Sequence, residues 1–485
     1  MEEGICPAPA WVGRAIEYMY TPDQYIAMNT ANSVDTTTII VEMPPAAELA
    51  DELIQVSQKL EAVYSNVLNQ IHRFPASLRS LDGDYIVPRM VAIGAYHHGL
   101  PELQDMEEIK KAAAYHFCRD SGLSPEAVYH KVLAVASDAR SCYTDGELQC
   151  VTSDEDFFAS MMFRDGCFLL QTILWILQQG GGDGPPLPSF SCKLNSTALL
   201  RDLFLLENQI PWVVLEALMG CRLDVFPDAL REFIVHIGKF FQLHTDTDLL
   251  HQPLDLRLDG NGSYSSYSKP AHLLALLHFH HSGGSSSTDE LHLLGLETLP
   301  PVVTSAVDLA QTGIKLAPSK TAAFGGMALI SKGALFPELS MPPLLLSELT
   351  ACWLVNMAAF ESTGSVHHGA TSGHYIVSSY LTLLSMLMDR VEDVHELRAK
   401  RVIHSDFTND TTLAFFKGGL TSYLYVNDRY LDILKRIEEH KLERWVWIAI
   451  HRFIYNNLKT IVAVLSIISV LVGIFKALFS LQKSS

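Results

Sequence analysis

The sequence lacks the motifs that identify the common enzyme classes. It contains no P-loop, no glycine-rich dinucleotide-binding turn, no Gly-x-Ser-x-Gly elbow, no kinase motifs and no His-Glu-x-x-His helix. Charge is also scarce, since Asp, Glu, Lys and Arg make up 18% of 485 residues, and the formal net charge is −19. An acidic chain without a Lys/Arg cluster repels phosphate backbones, so we expect no nucleic-acid partner.

Closely spaced cysteine pairs are missing as well. No two cysteines stand at the Cys-x-x-Cys spacing typical of structural zinc sites. Eight thiols in a chain of this length do not form a dense disulfide framework, so we interpret them as reduced cysteines of a cytosolic body. The sequence therefore indicates neither a metal site nor a cofactor. The cysteines are Cys6, Cys118, Cys142, Cys150, Cys167, Cys192, Cys221 and Cys352.

The N-terminus lacks the basic start and the apolar core of a signal peptide. We therefore expect the N-terminal part to stay in the cytosol. Residues 1–45 contain several prolines and the run Thr36–Thr38, which predicts an irregular arm. The overall hydrophobic content of 48% is that of a chain that folds.

One long hydrophobic run is present, at the C-terminal end. Residues 461–475 carry no charge, and Thr460–Leu481 is long enough to cross about 30 Å of hydrocarbon. Lys476 lies near the far end, where its side chain can reach the headgroups. Trp445, Trp447 and Tyr455 precede the run and suit an interfacial belt. The alternative interpretation is a buried core helix, but such a helix normally keeps a polar face.

Flanking charge predicts the topology of this span. Four cations precede the run and two lie at or beyond its end, which places the N-terminal side in the cytosol. The expected topology is a single-pass, tail-anchored protein, and the sequence does not distinguish the plasma membrane from endomembranes. The preceding cations are Lys441, Arg444, Arg452 and Lys459, and the others are Lys476 and Lys483.

The predicted fold class is mainly α, with a large helical soluble body, few short strands and one C-terminal transmembrane helix. Hydrophobic periodicity and capping residues carry this prediction. We divide the chain into the arm (1–45), a helical domain (46–440) with loop-rich inserts near 178–197 and 251–292, a juxtamembrane helix (441–459) and the span (460–481). The apolar run Cys167–Leu177 is too short for a span and suits a buried helix.

Individual elements follow from the same patterns. A helix is expected over 48–72, and another begins at Asp105 as its N-cap and stops at Gly122. Ser124 and Pro125 open the next helix. Further helices are expected near His272 and over 342–361 and 375–402, with short strands at 302–304 and 315–316.

Histidines and one cysteine are the first candidates for chemistry. His97 and His98 are adjacent, so they cannot bind one metal as an i, i+4 pair would, and a local capping role is the alternative. A histidine group near residue 280 could bind adventitious metal, but no acidic or thiolate ligand stands at a defined spacing. Cys167 opens a very apolar stretch, which favours packing over a reactive thiolate. The histidine group comprises His272, His278, His280 and His281.

A polar cluster in an apolar helix is the other candidate. Residues 202–211 read DLFLLENQIP, and such a cluster is either a satisfied buried network or a site. Pro211 removes a backbone donor, and Asn208 and Gln209 can bind the freed carbonyls, which favours the structural interpretation. Asp165 and Glu207 would form an acid/base pair if they met in space.

These motifs together resemble the plant family called domain of unknown function 247. The resemblance covers roughly residues 60–482, although this chain has Gly94-Ala95-Tyr96 where the family usually has Gly-Pro-Tyr. It implies plant origin, a membrane tail and no established catalytic residues. The matching pieces are 86–88, 91–99, 103–110, Asp165–Phe168, 202–211, 305–306, 313–314 and 356–361, followed by the C-terminal span.

Two functions are therefore carried forward. The first is a membrane-anchored, non-enzymatic recognition or signalling protein that acts through contacts with a protein partner. The second is a membrane-tethered enzyme with an acid/base site near Asp165, Glu207 and His97. A spatial map of the motifs discriminates between them, because convergence on one cavity would favour a site.

Overall fold

A computed structural model describes residues 70–79, 83–143, 154–179, 195–241, 269–282, 305–320, 323–331, 337–363, 375–418, 424–443 and 445–483. The chain divides into two compact units, Met1–Glu61 and Ala62–Ser485, and all of the described residues belong to the second. The predicted arm, most of the predicted helix over 48–72, most of both predicted inserts and the predicted strand at 302–304 lie outside the described residues. The described end of that helix prediction, residues 70–72, is not helical, since Ile71 forms a β-bridge with Tyr143.

The described part is mainly helical, which confirms the predicted fold class at that level. Its strands are short, as predicted. The helices are α1 (Asp105–Ser121), α2 (Pro125–Leu133), α3 (Ala136–Ser141), α4 (Glu155–Gln179), α5 (Ser196–Asp202), α6 (Trp212–Met219), α7 (Phe226–Phe240), α8 (Leu273–Ser282), α9 (Ala306–Gln311), α10 (Glu348–Ser362), α11 (Ile376–Leu387), α12 (Val391–Ala399), α13 (Asn409–Lys417), α14 (Asp428–Glu443) and α15 (Trp445–Lys483). The strands are β1 (Lys315–Pro318), β2 (Ala328–Ser331), β3 (Pro337–Met341), β4 (Leu344–Leu346) and β5 (Ile403–Ser405).

Helix α4 is the centre of the N-terminal half. Helices α1, α2, α3, α6 and α7 all contact it. Phe158, Met162 and Phe168 are fully buried on α4, as is Cys167. The prediction of a buried helix around Cys167 is thus confirmed, because an all-apolar surface is stable in water only when neighbouring elements cover it.

Two small sheets lie in the C-terminal half. The first has the order β1-β3-β2, with β1 parallel and β2 antiparallel to β3. The second pairs β4 with β5 in parallel. The strand predicted at Lys315 and Leu316 is confirmed as the start of β1.

Three helix predictions need correction. The region 342–361 holds β4 followed by α10, because Ser347 and Thr350 form a capping box that starts the helix there. The region 375–402 holds two helices, because Asp393 accepts from the amides of Asp389 (3.1 Å) and Arg390 (2.9 Å) and so begins α12. Asp105 is the first residue of α1 and makes no cap bond, whereas Ser124 caps α2 as predicted.

The membrane criterion of length and apolar composition selects one helix among the described residues. It is Glu155–Gln178, most of which is buried, so it is the core helix α4 rather than a span. The C-terminal apolar stretch, Thr460–Ile474, is shorter. The predicted span at 460–481 is therefore not supported by this criterion, although α15 continues as one helix from Trp445 to Lys483.

Candidate functional site

The turn between α5 and α6 is buried throughout, from Asp202 to Pro211. The Asp202 carboxylate accepts three consecutive backbone amides, from Arg89 (3.0 Å), Met90 (2.6 Å) and Val91 (3.0 Å). Arg201 lies 2.8 Å from the same carboxylate. Burial raises the pKa of Asp202, and the three amides and Arg201 lower it in part. The carboxylate thus holds a segment that has no strand partner for its amides.

Asn208 continues this pairing along the same segment. Its Oδ1 accepts from the amide of Ile93 (2.7 Å), and its Nδ2 donates to the carbonyls of Val91 (3.0 Å) and Asp202 (2.9 Å). A carboxamide offers one acceptor oxygen and two N–H donors, so it can form the hydrogen bonds that a neighbouring strand would otherwise form with this segment. The interpretation of residues 202–211 as a satisfied structural network agrees with these contacts.

The side-chain carboxamides of Gln209 and Asn356 bind the remaining backbone groups of the turn. Gln209 Nε2 donates to the carbonyls of Leu203 (2.9 Å) and Leu205 (2.8 Å), and its Oε1 accepts from the Leu274 amide (3.0 Å). Asn356, on α10, accepts from the Leu206 amide at 2.8 Å. Side chains thus bind the buried backbone groups that have no backbone partner within the turn.

Asp165 belongs to a second, adjoining group of charges. Its Oδ2 accepts from the Gly94 amide (2.9 Å), and its Oδ1 lies 2.7 Å from Lys110 Nζ. Lys110 is fully buried and also contacts Glu107 at 2.6 Å. Burial lowers the pKa of Lys110, but the Asp165 and Glu107 carboxylates raise it by more, so the net shift is upward. The ammonium group therefore stays charged inside the fold and fixes α1 to α4.

We call Asp165, Asp202 and Asn208 the backbone clamp, because together they bind amides along residues 89–94. Gly94 closes the clamp with a φ of +82°. A Cβ there would lie 2.1 Å from the Gln209 carbonyl oxygen and 2.6 Å from the Tyr143 hydroxyl. Only glycine fits this approach, since any side chain would meet backbone that cannot yield.

Glu207 lies beside the clamp and has different partners. It accepts from the Phe74 amide (2.7 Å) and from Arg73 Nη1 (3.1 Å). His97 Nε2 lies 3.7 Å from its Oε2. Burial lowers the pKa of His97, Glu207 raises it and Arg73 lowers it, with a net lowering. The structure therefore brings His97 to Glu207, while Asp165 binds Lys110 and Gly94 instead.

The remaining sequence candidates are dispersed. Burial lowers the pKa of His98, the neighbour of His97, and outweighs the Asp165 and Glu107 carboxylates, which raise it. Burial raises the pKa of Cys167 well above that of a free thiol, which suits packing. In the described part of the chain, no group of three or more His, Cys, Asp and Glu side chains is arranged to hold a metal ion. His272 and His281 are fully buried, and burial lowers the pKa of each to about 3.

One buried pair was not assigned a role from the sequence. Glu361, at the end of α10, accepts from His278 Nε2 (2.7 Å) and from the amides of Val377 (2.9 Å) and Ser378 (2.8 Å). It thus binds the N-terminal amides of α11, where the helix dipole favours a negative charge. Its place in a very apolar helix was the signal, since a buried carboxylate needs partners.

An open pocket of about 270 Å³ lies elsewhere, between α3 and α6. Asp138, Cys142, Glu216 and Lys269 are among its lining residues, and Glu216 and Lys269 form an ion pair at 2.9 Å. Asp165, Glu207 and His97 are not among its lining residues. The motifs therefore converge on one another, and this pocket is not where they meet.

Fold and site together define a mainly helical protein in which motifs far apart in sequence meet in one buried polar network. The chain belongs to the family DUF247, described as plant protein of unknown function, whose model matches residues 71–472. This confirms the resemblance noted in the sequence.

Two Arabidopsis thaliana proteins are similar to the chain. "UPF0481 protein At3g47200" is 26% identical over 396 residues, which cover 77% of each chain. "Putative UPF0481 protein At3g02645" is 20% identical, and the match covers 89% of this chain and 95% of the relative. No solved structure matches the chain.

Proposed function

We propose that this protein is a membrane-tethered recognition protein, whose body meets a protein partner at the cytosolic face. One observation carries the tether: the exposed apolar surface of α15. Nine aliphatic side chains of this helix are each 48–61% exposed: Val462, Val464, Leu465, Ile467, Ile468, Val470, Leu471, Val472 and Ile474. Apolar surface of this extent has a high free energy in water and a low one in lipid.

The length of the apolar segment is compatible with a span when its flank is included. Residues 460–481 would extend about 33 Å as a helix, against about 30 Å of hydrocarbon. Lys476 interrupts the run near its end, and its position lets the ammonium group reach the headgroups. The excess of cations before the segment supports a cytosolic body.

The recognition role is supported by how the motif residues are used. Asp202, Asn208 and Gln209 all bind backbone, and so they build the fold. The conspicuous polar residues thus have structural partners, which leaves the acidic outer surface as the part that others can meet. A partner with a basic surface fits a body of this charge.

A pair of exposed aliphatic residues provides the test of the tether. Ile467→Lys with Leu471→Lys places two charges near the centre of the proposed span, at a cost of about 2.5–3.5 kcal/mol each. We expect this variant to leave the membrane fraction. Phe279→Lys with Ile330→Lys, on exposed apolar residues of the body, is the matched control and should stay with the membrane. Equal membrane content of the two variants would refute the tether.

The partner is tested separately. Proximity labelling with the full-length chain, followed by binding of each labelled protein to the purified chain, should yield a saturable protein complex that weakens at high salt. The absence of any saturable partner, together with turnover of a substrate, would overturn the recognition role.

The acid/base alternative is favoured by one contact, the 3.7 Å between His97 and Glu207. A neutral histidine beside a carboxylate can accept a proton and pass it on. If the pair is catalytic, His97→Gln should abolish turnover of a chromogenic ester, phosphoester or glycoside without loss of stability. No turnover by the unmodified chain on any of the three classes would count against this alternative.

A further inference from the structure

Helix α15 extends well beyond the proposed span. Fifteen residues, Trp445–Lys459, precede Thr460 within the same helix. At 1.5 Å per residue they add about 22 Å on the side of the body. This juxtamembrane half of α15 would pass through the headgroup layer, so its side chains must suit that layer.

Charge is distributed very unevenly between this region and the rest. From Arg444 to the end, the chain has five lysines and arginines and no aspartate or glutamate, so the other 443 residues carry a formal charge of −24. An anionic leaflet repels a body of that charge within about a Debye length, 8–10 Å. The basic segment lies between the two.

The juxtamembrane half also has two chemically different faces. Arg452 and Lys459 are seven residues apart and so occupy one face of the helix. Val446 and Phe453 share another face, about 120° away, and Phe453 is 64% exposed. Ile454 and Leu458 are exposed too. Cations on one side with aliphatic and aromatic groups on the other are typical of helices that bind membrane surfaces.

We propose that residues 445–459 bind the headgroups of anionic glycerophospholipids in the leaflet that faces the body. This inference rests on the proposed membrane tether. Lys459 adjoins the span, and Arg452 lies about 12 Å from Thr460 along the helix, within reach of lipid phosphates. The apolar face enters the boundary with the acyl chains, while the cations offset the repulsion of the acidic body.

The test uses the full-length chain reconstituted in phosphatidylcholine vesicles that contain a trace of dansyl-labelled phosphatidylserine or dansyl-labelled phosphatidylcholine. Energy transfer from tryptophan reports which lipid gathers beside the chain, since Trp445 and Trp447 stand in the juxtamembrane segment. We expect the serine lipid to be enriched about fivefold or more, because each surface cation is worth about fivefold in partition. High salt should abolish the enrichment.

Two charge variants make the result specific. Arg452→Gln with Lys459→Gln should reduce the enrichment to none. Lys111→Gln with Arg390→Gln removes the same charge from exposed sites on the body and should leave the enrichment unchanged. A chain that inserts into vesicles without enrichment, or a body variant that loses it equally, would overturn the lipid selectivity alone. A chain that inserts into no vesicle would overturn the tether itself.

Discussion

Single side chains bind backbone in this protein where a neighbouring strand would normally do so. Residues 89–94 lie in no strand, yet Asp202, Asn208 and Asp165 accept most of their amides. Each such bond is worth about 1 kcal/mol when formed, and an unmet buried donor costs about 1–3 kcal/mol. The stability of this region therefore depends on a few side chains.

Gly94 tests the close packing of the backbone at residue 94 against the Gln209 carbonyl. Gly94→Ala should lower the free energy of unfolding by about 3–5 kcal/mol, because the Cβ meets the Gln209 carbonyl and the positive φ adds strain. Gly99 also has a positive φ, but nothing lies within 4 Å of its Cβ position, so Gly99→Ala should cost about 1 kcal/mol. Urea unfolding measures both. Equal losses would show that strain, and not contact, sets the cost.

Asp202 tests the carboxylate of the clamp. Asp202→Asn keeps the shape but turns an NH₂ group toward amide donors, so the free energy of unfolding should fall by about 2–4 kcal/mol. Asp228→Asn, at a side chain 82% exposed, should change it by less than about 0.5 kcal/mol. Thermal and urea unfolding measure the free energy of unfolding of both variants. Equal losses in the two variants would contradict the role given to Asp202 in the clamp.

His281 tests the effect of pH. Burial lowers its pKa to about 3, so it is neutral in the fold but protonates below pH 6.5 when unfolded. Its stabilising contribution is present above pH 6.5 and is lost as pH falls towards 3, by about 2 kcal/mol at pH 5. His281→Leu should therefore show a smaller loss of stability between pH 7 and pH 5 than the parent chain.

The exposed His395 on α12 supplies the control for this comparison. His395→Leu should keep the parent dependence on pH. Urea midpoints at the two pH values measure the difference, and the same dependence in all three chains would show that His281 does not protonate on unfolding.

Helices were predictable where local signals decide them. Ser124, Pro125 and Gly122 set the ends of α1 and α2 by capping and by a positive φ, which depend on neighbours in sequence. The break between α11 and α12 was missed. The apolar stripe continues across it, and the bonds that start α12 come from the side chain of Asp393, which also accepts from the distant Val307 amide.

The polar network was only half predictable, for a related reason. Asn208 and Gln209 beside Pro211 signal buried amides, since an apolar helix excludes polar groups that lack partners. Which backbone groups they bind depends on which distant segments pack against them. The hydrophobic periodicity of the sequence contains no such information. Likewise, Asp165 and Glu207 looked like an acid/base pair, yet Asp165 binds Lys110 and Glu207 binds Arg73.

Deletion of residues 458–485 tests the division of the whole molecule into a folded body and a C-terminal membrane tether. We expect the truncated protein to move from the membrane to the soluble fraction, because the exposed aliphatic surface of α15 is removed. The cooperative unfolding of the body should persist, since the backbone clamp and α4 are left in place. Differential centrifugation and circular dichroism measure the two effects. A truncated protein that stays with the membrane, or has no unfolding transition, would contradict the assignment.

The distance in sequence between partners in the buried polar network has a consequence for synthesis. Asn208 lies 115 residues after Ile93, whose amide it binds. Asn356 lies 271 residues after Tyr85, whose carbonyl it binds. At about 5–20 residues per second, the first of these bonds cannot form until roughly 6–23 s after its donor leaves the ribosome. Early segments therefore remain without their partners throughout this interval, and a product that terminates before α10 is a natural substrate for chaperones and proteases.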